Sequence, residues 1–577
     1  MTKLFRYLRE YRLSSILGPL FKLLEALLEL FVPLVMSAMI DRGIGSGDTA
    51  FLWRMSGLLA LLGLAGLGFS ITAQYFAARA SAGFAAKVRH ALMAHVEELS
   101  FADLDKLGPS TLITRMTIDM NQLQTGLNLA LRLLLRSPFV VFGAMIMAFT
   151  ISVRAALVFA GAIPILAAVV FGVMLVCIPL YRAVQEKLDT LTGITRENLT
   201  GVRVIRAFCK EEDETARFCS ANGSLMVKQT FTGRISSLMN PLTYVIVNFS
   251  VLLLIRTGAL QVESGTLTQG EVVALYNYMA QILVELVKLA NLIINITRSV
   301  ACGNRIQAVL ETASSMQASP VTLPDTDPDA PAVAFRGVTL RYPEAGADAL
   351  TGLDFTARRG ETIGVIGGTG SGKTSLVGLI PRFYDVSAGA VLVDGADVRD
   401  WPTDALRSRI GVVPQKTELF RGTLRENLLW GNPGATDEEL MAALRDAQAE
   451  PFVASSGGLD LILEPGGRNL SGGQRQRIAV ARALVRRPEI LILDDSASAL
   501  DYATEARLRR AVLSQSYRPT VFWVSQRVHS IRHADRILVM DDGRLCGCGT
   551  HETLLRICPE YREICASQLE REEAADA

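Results

Sequence analysis

The chain has 577 residues, which is too long for a single hydrophobic core, so at least two domains are expected. Hydrophobic residues make up 50% of it and the mean hydropathy is +0.30, an apolar excess typical of proteins solvated partly by lipid. The net charge of +1 gives no indication of nucleic acid as a partner. The 8 cysteines are predicted to be reduced thiols, since none falls in a segment predicted to lie outside the membrane.

Long apolar segments dominate the N-terminal half of the chain. A hydrocarbon slab of ~30 Å requires roughly 20 apolar residues per helix. Six segments of that length are predicted to span the membrane, near 15–40, 55–78, 132–151, 155–178, 241–261 and 269–297. Charged residues interrupt the first and the last span, namely Lys22, Glu25, Glu29, Glu285 and Lys288. Such side chains are costly in lipid, so they are expected to face the bundle interior or water.

Basic residues are concentrated before the first span and in the connections after the second and fourth spans. They are Lys3, Arg6, Arg9, Arg12, Arg79, Lys87, Arg89, Arg115, Arg132, Arg136, Arg182, Lys187, Arg196, Arg203, Arg206 and Lys210. Because basic connections stay in the cytoplasm, this distribution predicts a multi-pass protein of the cell membrane with both termini cytoplasmic. An even number of spans agrees with that orientation.

The two basic connections are long, at about 50 and 60 residues, and both keep a helical apolar period. The spans are therefore predicted to continue as helices beyond the membrane. Turn-forming residues near 107–110 and 208–213 would form a tip in each connection. The segments 107–120 and 208–215 are the predicted couplers to a cytoplasmic domain.

The composition changes after the last span. Residues 314–331 are rich in Pro, Asp, Ser and Thr without an apolar period, which is typical of a linker. Short strand-like segments then alternate with helices, which predicts an α/β domain. The predicted strands are Glu361–Ile366, Ala390–Val393, Ile410–Val413, Ile490–Leu493 and Thr520–Val524. The predicted organisation is an all-α transmembrane domain (1–313), the linker (314–331), an α/β domain (332–568) and a frayed acidic tail (569–577).

A glycine-rich loop follows the first of these strands and precedes a helix. Its residues, with the first helical ones, are Gly367, Gly368, Thr369, Gly370, Ser371, Gly372, Lys373, Thr374 and Ser375. This is the pattern G-x-x-x-x-G-K-[ST] in the strand-to-helix context that it requires. Backbone amides and the helix N-terminus favour phosphate oxygens, Lys373 can neutralise the β- and γ-phosphates, and Thr374 can hold Mg²⁺. The apolar strand at 490–493 ends at Asp494, where a second Mg²⁺ contact through water is expected.

A further motif, Leu-Ser-Gly-Gly-Gln-Arg-Gln-Arg, occupies residues 470–477. Its serine and glycines open a helix and offer a hydroxyl, backbone amides and the helix dipole to an anion. The residues concerned are Ser471, Gly472, Gly473 and Gln474. This segment resembles the signature of ATP-binding-cassette (ABC) transporters. Six spans fused ahead of one cassette are similar to an exporter-type half-transporter, and the resemblance covers nearly the whole chain.

The resemblance implies roles for further residues. The signature of one chain would contact the γ-phosphate of ATP bound by a second half-transporter. Tyr342 resembles the aromatic residue that stacks on adenine. Gln415 resembles the glutamine that senses Mg²⁺ and faces the membrane domain. The segment Ser498-Ala499-Leu500-Asp501 resembles the loop that contacts the opposite cassette.

Two positions depart from the family pattern. ABC ATPases usually place a glutamate after the aspartate of the second phosphate motif, to polarise the attacking water. This chain has Asp495 there, one methylene shorter, and a displacement of ~1 Å costs on the order of 100-fold in such reactions. The family also expects a histidine where this chain has Gln526, which carries neither a transferable proton nor a charge. A smaller departure is Pro465, with Glu464 beside it, where exporters often carry a glutamate.

Both main departures affect one composite site, whereas the signature is intact. That is the arrangement of asymmetric heterodimeric ABC exporters. It implies that this chain binds ATP and Mg²⁺ but hydrolyses ATP poorly, and that its signature completes a competent site of the partner. The alternatives are a homodimer with two weakened sites, an importer built on an exporter-like fold, and a non-transporting ATP-binding regulator.

Closure and parting of two cassettes would switch the bundle between inward-open and outward-open states. The architecture favours export of amphipathic drugs, lipids or peptides. Substrate should bind within the bundle, where Glu25, Glu29, Glu285 and Lys288 are candidates. The alternative is that Lys22, Glu25 and Glu29 form a mutually paired structural face at i, i+3 and i+7.

Overall fold

A computed structural model describes residues 2–316, 322–343, 345–496 and 498–576. The chain forms two compact units. The first comprises Met1–Glu97 and Ser110–Thr312, and the second comprises Glu98–Pro109 and Ala313–Ala577. Residues 317–321 of the predicted linker lie outside the described residues, and the described part at 322–331 has neither helix nor strand. The domain ends placed at 313, 331 and 568 remain predictions.

The first unit is built from long helices. With α3, which belongs to the second unit, the helices up to residue 310 are α1 (Arg12–Ala38), α2 (Thr49–Glu98), α3 (Phe101–Leu107), α4 (Pro109–Thr114), α5 (Met120–Leu133), α6 (Arg136–Ile151), α7 (Val153–Thr200), α8 (Val202–Ala207), α9 (Glu211–Ser237), α10 (Met239–Glu263) and α11 (Gln269–Leu310). Among the described residues, six continuous helical segments are long and apolar enough to cross a membrane, which confirms the six predicted spans. They are Lys3–Ile44, Thr49–Glu98, Pro109–Ile151, Val153–Thr200, Glu211–Glu263 and Gln269–Leu310.

These six segments contain 42 to 53 residues each. At 1.5 Å per residue they are about 60–80 Å long, twice the thickness of a bilayer core. The helices therefore continue beyond the spans, as the apolar period of the connections predicts. Small buried residues such as Ala144, Ala148 and Ala274 let the helices approach closely. The Tyr278 hydroxyl donates to the Leu30 carbonyl oxygen at 2.6 Å and ties α11 to α1.

The second unit contains an α/β fold. Its strands are β1 (Val333–Leu340), β2 (Leu350–Ala357), β3 (Thr362–Gly367), β4 (Ala388–Val393), β5 (Ala396–Asp397), β6 (Ile410–Val413), β7 (Gly422–Thr423), β8 (Ile462–Leu463), β9 (Ile490–Asp494), β10 (Thr520–Val524), β11 (Arg536–Asp541) and β12 (Arg544–Gly549). Its later helices are α12 (Lys373–Leu379), α13 (Thr403–Ser408), α14 (Leu424–Leu429), α15 (Asp437–Asp446), α16 (Glu450–Ser455), α17 (Gly472–Val485), α18 (Tyr502–Leu513), α19 (Val528–Ile531), α20 (His551–Ile557) and α21 (Pro559–Asp576).

The central sheet has six strands in the order β12-β11-β3-β10-β9-β6. Its pairs are parallel except for β11 with β12. Every residue of β3, β9 and β10 is buried, because helices cover both faces of a parallel sheet and select continuous apolar runs. A second sheet, β2-β1-β4-β5, is antiparallel, and β7 pairs with β8. The strands predicted from the sequence all occur, with ends that differ by two residues at most.

The first coupler is predicted at 107–120, but the segment that contacts the α/β fold lies before it, in α3. The tip is α3, which Ser100 caps by accepting a hydrogen bond from the Asp103 amide at 3.1 Å. Its Phe101 ring lies 4.7 Å from the Phe383 ring, and the Tyr384 hydroxyl donates to Asp105 at 2.9 Å. The turn signal at 107–110 is real, since Gly108 adopts a φ of +74°, but it ends α3 instead of forming the contact. The residues of this predicted coupler from Ser110 to Met120 belong to the first unit.

The chain turns where the second tip is predicted, whereas the tail differs from its prediction. The chain does turn near 208–213, because α8 ends at Ala207, Cys209 has a φ of +51°, and α9 begins at Glu211. The acidic tail predicted to fray at 569–577 is instead helical as far as Asp576. Its Glu, Ala and Arg residues are strong helix formers, which explains why α21 continues. Ala577 lies outside the described residues.

Candidate functional site

The parallel sheet brings four predicted site segments to one edge. The glycine-rich loop follows β3 and Gln526 follows β10. Strand β9 ends at Asp494, with Asp495 directly after it, and Gln415 follows β6. These four strands are consecutive neighbours in the sheet and run in the same direction. Their carboxyl ends therefore meet at a single crevice, which is where open α/β sheets bind ligands.

A cavity of about 300 Å³ occupies this crevice. The predicted site residues that line it are Tyr342, Thr369, Gly370, Gly372, Lys373, Thr374, Ser375, Gln415, Asp494, Asp495 and Gln526. Ala349, Val524 and Ser525 also line it and were not singled out from the sequence. The cavity therefore unites the residues that the motifs placed far apart in the chain.

Lys373 holds the glycine-rich loop in shape. Its ammonium donates to the carbonyl oxygens of Gly367 at 2.9 Å and Gly368 at 2.6 Å, and to the Ser371 hydroxyl at 3.3 Å. Gly372 has a φ of +91°, and an added Cβ there would lie 2.7 Å from the Leu350 side chain. Only glycine satisfies both conditions, so the loop closes tightly around the space in front of α12.

A hydroxyl and a carboxylate meet beside the lysine. The Thr374 hydroxyl donates to Asp494 Oδ1 at 3.2 Å. Burial raises the pKa of Asp494, and the adjacent Asp495 carboxylate raises it further, against the opposing effects of Thr374 and Lys373. Burial also lowers the pKa of Lys373 despite these two carboxylates. Thr374 and Asp494 form an oxygen donor set of the kind that Mg²⁺ prefers.

Asp495 occupies a left-handed backbone position with a φ of +47°, which aspartate tolerates better than most residues. Its carboxylate accepts a long hydrogen bond of 3.4 Å from the Gln415 amide. Burial raises the pKa of Asp495, and Gln415, Lys373 and Arg527 offset that effect only in part. The side chain lines the cavity, and this long bond is the side-chain hydrogen bond that the described residues give it.

Tyr342 and Gln526 lie at the rim of the cavity. The Tyr342 hydroxyl is 2.8 Å from the Ser375 hydroxyl, and its ring packs edge-on to Tyr384 at 5.0 Å. These contacts leave a fixed, partly buried aromatic ring beside the loop. Gln526 is exposed, and its backbone carbonyl accepts from Gln568 at 2.7 Å, so its side chain is available to the cavity.

The signature residues lie elsewhere on the second unit. Ser471 and Gln474 form a capping box at the start of α17, in which the Ser471 amide donates to Gln474 Oε1 at 2.9 Å and the Gln474 amide donates to Ser471 Oγ at 3.3 Å. Ser471 and Gly472 are exposed. The signature does not contribute to the lining of the cavity described above, as far as the described residues go.

Gln476 and Arg527 hold the loop 498–501, and the sequence reasoning missed both. Gln476 Oε1 accepts from the Ala499 amide at 3.2 Å, and Arg527 donates to the Ser498 carbonyl oxygen at 3.0 Å. Arg527 thereby connects this loop to the segment that carries Gln526. The available signal was the position of Gln476 within the motif at 470–477 and of Arg527 directly after Gln526.

The cavity fits a polyphosphate together with a divalent cation. A lysine with a lowered pKa and two carboxylates with raised pKa values are groups that lack sufficient opposite charge. Phosphate oxygens would supply negative charge to Lys373 and to the amides of the loop. A cation held by Thr374, Gln415 and Asp494 would supply positive charge to the carboxylates.

Comparison with known proteins agrees with this fit. Residues 15–286 match a family model described as the ABC transporter transmembrane region, and residues 350–498 match one described as ABC transporter. An uncharacterized ABC transporter ATP-binding protein of Mycobacterium tuberculosis is 37% identical, over 98% of this chain and 97% of its own. The chain belongs to the ABC transporter family. An ATP-dependent lipid A-core flippase of Syntrophus aciditrophicus is 30% identical over 85% of this ABC transporter and 81% of its own length.

The structure of a bacterial Atm1-family ABC exporter with ATP bound is similar over nearly the whole chain. The TM-score is 0.79 at 25% identity, and the match covers 97% of this ABC transporter and 98% of the exporter chain. The fold is therefore that of an ABC exporter, with a six-helix membrane domain (the first unit) and an ATP-binding cassette (within the second unit). Membership of this family implies ATP binding and a position in the lipid bilayer.

The charged residues that interrupt the first and the last span form ion pairs, and Lys22, Arg136 and Glu285 of these pairs are buried. Arg136, which is 7% exposed, donates to Glu285 at 2.6 Å and to Glu29 at 2.6 Å. Glu285 also accepts from Ser137 at 2.8 Å and from Lys288 at 2.9 Å. This network joins α1, α6 and α11. The prediction that Arg136 lies in a basic connection is wrong, because Arg136 starts α6 and its charge compensates two carboxylates inside the bundle.

The paired face suggested for α1 is partly present. Lys22 donates to both oxygens of Glu25, at 2.8 and 2.5 Å, as the i, i+3 spacing predicts. Glu29 does not join that pair and turns to Arg136 instead. Glu29, Glu285 and Lys288 line a cavity of about 380 Å³ in the membrane domain. Because Arg136 pairs with both glutamates and Lys288 pairs with Glu285, their arrangement favours a structural role over a contact with substrate.

Proposed function

We propose that this chain is one subunit of a heterodimeric ABC exporter. The complex would move an amphipathic substrate (a drug, a lipid or a peptide) across the cytoplasmic membrane by alternating access, with both termini of the chain in the cytoplasm. Basic residues before the first span and in the two long connections support the orientation. The relative described as a lipid A-core flippase supports an amphipathic cargo.

The nucleotide would bind in the crevice at the sheet edge. Residues 367–375 would cradle the phosphates of ATP, with Lys373 between the β- and γ-phosphates and Tyr342 against adenine. Thr374 and Gln415 would hold Mg²⁺, with Asp494 acting through water. The convergence of these groups in one cavity of about 300 Å³ is the observation that carries this assignment.

Asp495 and Gln526 are the positions where hydrolysis would be weak. An aspartate is one methylene shorter than the glutamate expected from the family, and misplacement by ~1 Å costs on the order of 100-fold. Gln526 can donate a hydrogen bond to a phosphate, but unlike a histidine it cannot take up a proton and so cannot become positively charged. We therefore infer that this site holds ATP and turns it over slowly.

The signature would serve the nucleotide of the partner. Ser471 and Gly472 are exposed and lie outside the lining of the chain's own cavity, so they are available to a ligand brought by another cassette. The capping box already fixes the start of α17, which keeps the hydroxyl and amides oriented before the partner arrives. The partner would supply the cradle, the glutamate and the histidine of the competent site.

Co-purification of this chain with a second half-transporter that carries the glutamate and the histidine tests the proposal. The Ser471→Ala variant of this chain should lower ATP hydrolysis by the complex at least tenfold, while Ser514→Ala, an exposed cassette serine, serves as the matched control. Restoring Asp495→Glu and Gln526→His should raise hydrolysis at this chain's own site.

Two outcomes would contradict the heterodimer. One is brisk hydrolysis by the purified chain alone that depends on Asp495 and Gln526, which would indicate a functional homodimer. The other is unchanged hydrolysis by the complex that contains Ser471→Ala. Either result would remove the asymmetric assignment and leave the ABC family membership untouched.

A further inference from the structure

The membrane domain contains a second, larger cavity of about 720 Å³. It lies between α7, the junction of α9 with α10, and α11. The Tyr181 hydroxyl bonds the Ser236 hydroxyl at 3.2 Å and closes the wall between α7 and α9. Its volume is within the range of pockets that bind drug-sized ligands.

The wall of this cavity changes from apolar to basic along the two long helices. On α7 the lining runs from Val173 through Ile178 to Arg182, with spacings that keep one helical face toward the cavity. On α11 it runs from Ile294 to Arg298. Both helices run in the same direction, from the short connections toward the end that leads to the cassette, so their apolar parts and their basic parts lie side by side.

At the basic end, two arginines have no ion-pair partner among the described residues. Arg182 and Arg298 are exposed, and neither forms an ion pair within the part of the chain that the structure describes. Arg305, the third arginine of the wall, donates to Asp119 at 3.0 Å. The described lining contains no aspartate or glutamate. This cavity therefore differs from the one beside Glu29 and Lys288, in which acids and bases compensate one another.

We propose that this cavity binds an anionic amphiphile, with its phosphate or carboxylate head on Arg182 and Arg298 and its hydrocarbon part along Val173, Ile178 and Ile294. Guanidinium groups bind such heads through paired hydrogen bonds, and the apolar wall removes the hydrocarbon from water. The head would then lie toward the end of the bundle at which α11 leads to the cassette. Lipids of the adjoining bilayer leaflet have their heads at that end as well. That this ligand is the transported cargo rests on the proposed function, whereas the binding itself does not.

Photolabelling of the full chain in phosphatidylcholine nanodiscs tests the site. The probe is an alkyl phosphate with a photoreactive group in its chain, and the labelled peptides are mapped by mass spectrometry. The label is expected on α7 and α11, and an unlabelled alkyl phosphate should compete with it at least tenfold better than an alkyl trimethylammonium of equal length. Arg182→Gln combined with Arg298→Gln should reduce the label about tenfold or more.

Lys187→Gln is the matched control, because Lys187 is an exposed base on the same helix that does not line the cavity. Unchanged labelling in the double variant, or equal competition by the cation, would overturn the proposal. Nanodiscs of phosphatidylglycerol separate the two sources of an anionic head. Labelling that persists supports a cargo other than a bilayer phospholipid, and labelling that is abolished overturns such a cargo and supports an anionic phospholipid as the ligand. Binding of a fluorescent ATP analogue to the same samples reports separately on the proposed nucleotide site.

Discussion

Asp103 fastens the tip α3 to the start of the segment that follows α11. Its Oδ2 atom accepts from the Ser100 hydroxyl at 2.5 Å, the Ser315 amide at 2.8 Å and the Ser315 hydroxyl at 3.1 Å. The residue is 9% exposed, so little water is available to accept these hydrogen bonds if the carboxylate is removed. Substitution of Asp103 therefore tests how strongly the tip is held.

The size of the effect follows from the three bonds. Asp103→Asn keeps the shape and an acceptor but removes the charge, which is expected to cost about 1 kcal/mol. Asp103→Ala leaves the Ser315 amide without its acceptor and is expected to cost about 3 kcal/mol. Because each 1.4 kcal/mol is a factor of ten, local opening of α3 should become about 5-fold more frequent in the first variant and about 100-fold in the second.

Hydrogen exchange of the amides in 101–107, followed by mass spectrometry, measures that opening directly. Burial alone would raise the pKa of Asp103, but its bonds with Ser100 and Ser315 bring it below the ordinary value. The stabilisation is therefore complete above the ordinary pKa of about 4 and is lost as the pH falls through the lower folded value. The difference between wild type and Asp103→Ala should stay constant from pH 7 to pH 5.

Ser110→Ala, at an exposed position of α4, is the control and should leave exchange in 101–107 unchanged. Equal exchange rates in the wild type and both Asp103 variants would refute the reasoning, and so would faster exchange in the control. A difference that vanishes already at pH 6 would show that the carboxylate is not held in its ionised form.

Lys373→Met removes the ammonium beside the phosphate cradle and is expected to weaken ATP binding about 100-fold in a fluorescent-nucleotide titration; unchanged affinity would contradict the assigned cradle. Arg136→Leu leaves Glu285 without its main counter-charge and is expected to cost about 3–5 kcal/mol, seen as a lower unfolding temperature in detergent that Glu285→Gln partly restores. Burial raises the pKa of Glu361, but the two bonds from Arg536, at 2.6 and 2.7 Å, hold it below its ordinary value. That stabilisation is present above about pH 4.3 and lost as the pH falls. Arg536→Gln should therefore cost about 2 kcal/mol at pH 7 in urea unfolding and less at pH 3.5, and a pH-independent cost would oppose this account.

The parts of the cassette that could be predicted from the sequence are formed by residues that are close together in the chain. The glycine-rich loop, the strand ending at Asp494 and the capping box of Ser471 with Gln474 are each encoded within about ten residues. Their meeting at one edge then follows from parallel strands, whose carboxyl ends point the same way. The chemistry of Asp495 and Gln526 could be stated for the same reason, because it depends on their identity at known positions of a motif.

The charged network of the membrane domain depends on residues that are far apart in the chain. Arg136 and Glu285 are separated by 149 positions, and a single sequence contains no record that they meet. Arg136 also comes directly after other basic residues, so its charge indicated a cytoplasmic connection and not the interior of the bundle. The coupling tip was misplaced by a similar cause. Gly108 and Pro109 are strong turn signals, whereas the contact is made by Phe101 and Asp105 on the short helix before them.

Helices α2 and α7, of 50 and 48 residues, are about 75 and 72 Å long, of which a bilayer core covers ~30 Å. Each is therefore a lever with an arm of about 40 Å, and a tilt of only about 5° moves its far end by about 4 Å, most of one helical turn. The two levers differ in stiffness, because α7 contains Pro164 and Pro179 whereas α2 has no proline. A displacement of the cytoplasmic end of α2 should therefore move the rest of that helix almost as a rigid body. The same displacement of α7 should be reduced, because that helix can bend at its prolines.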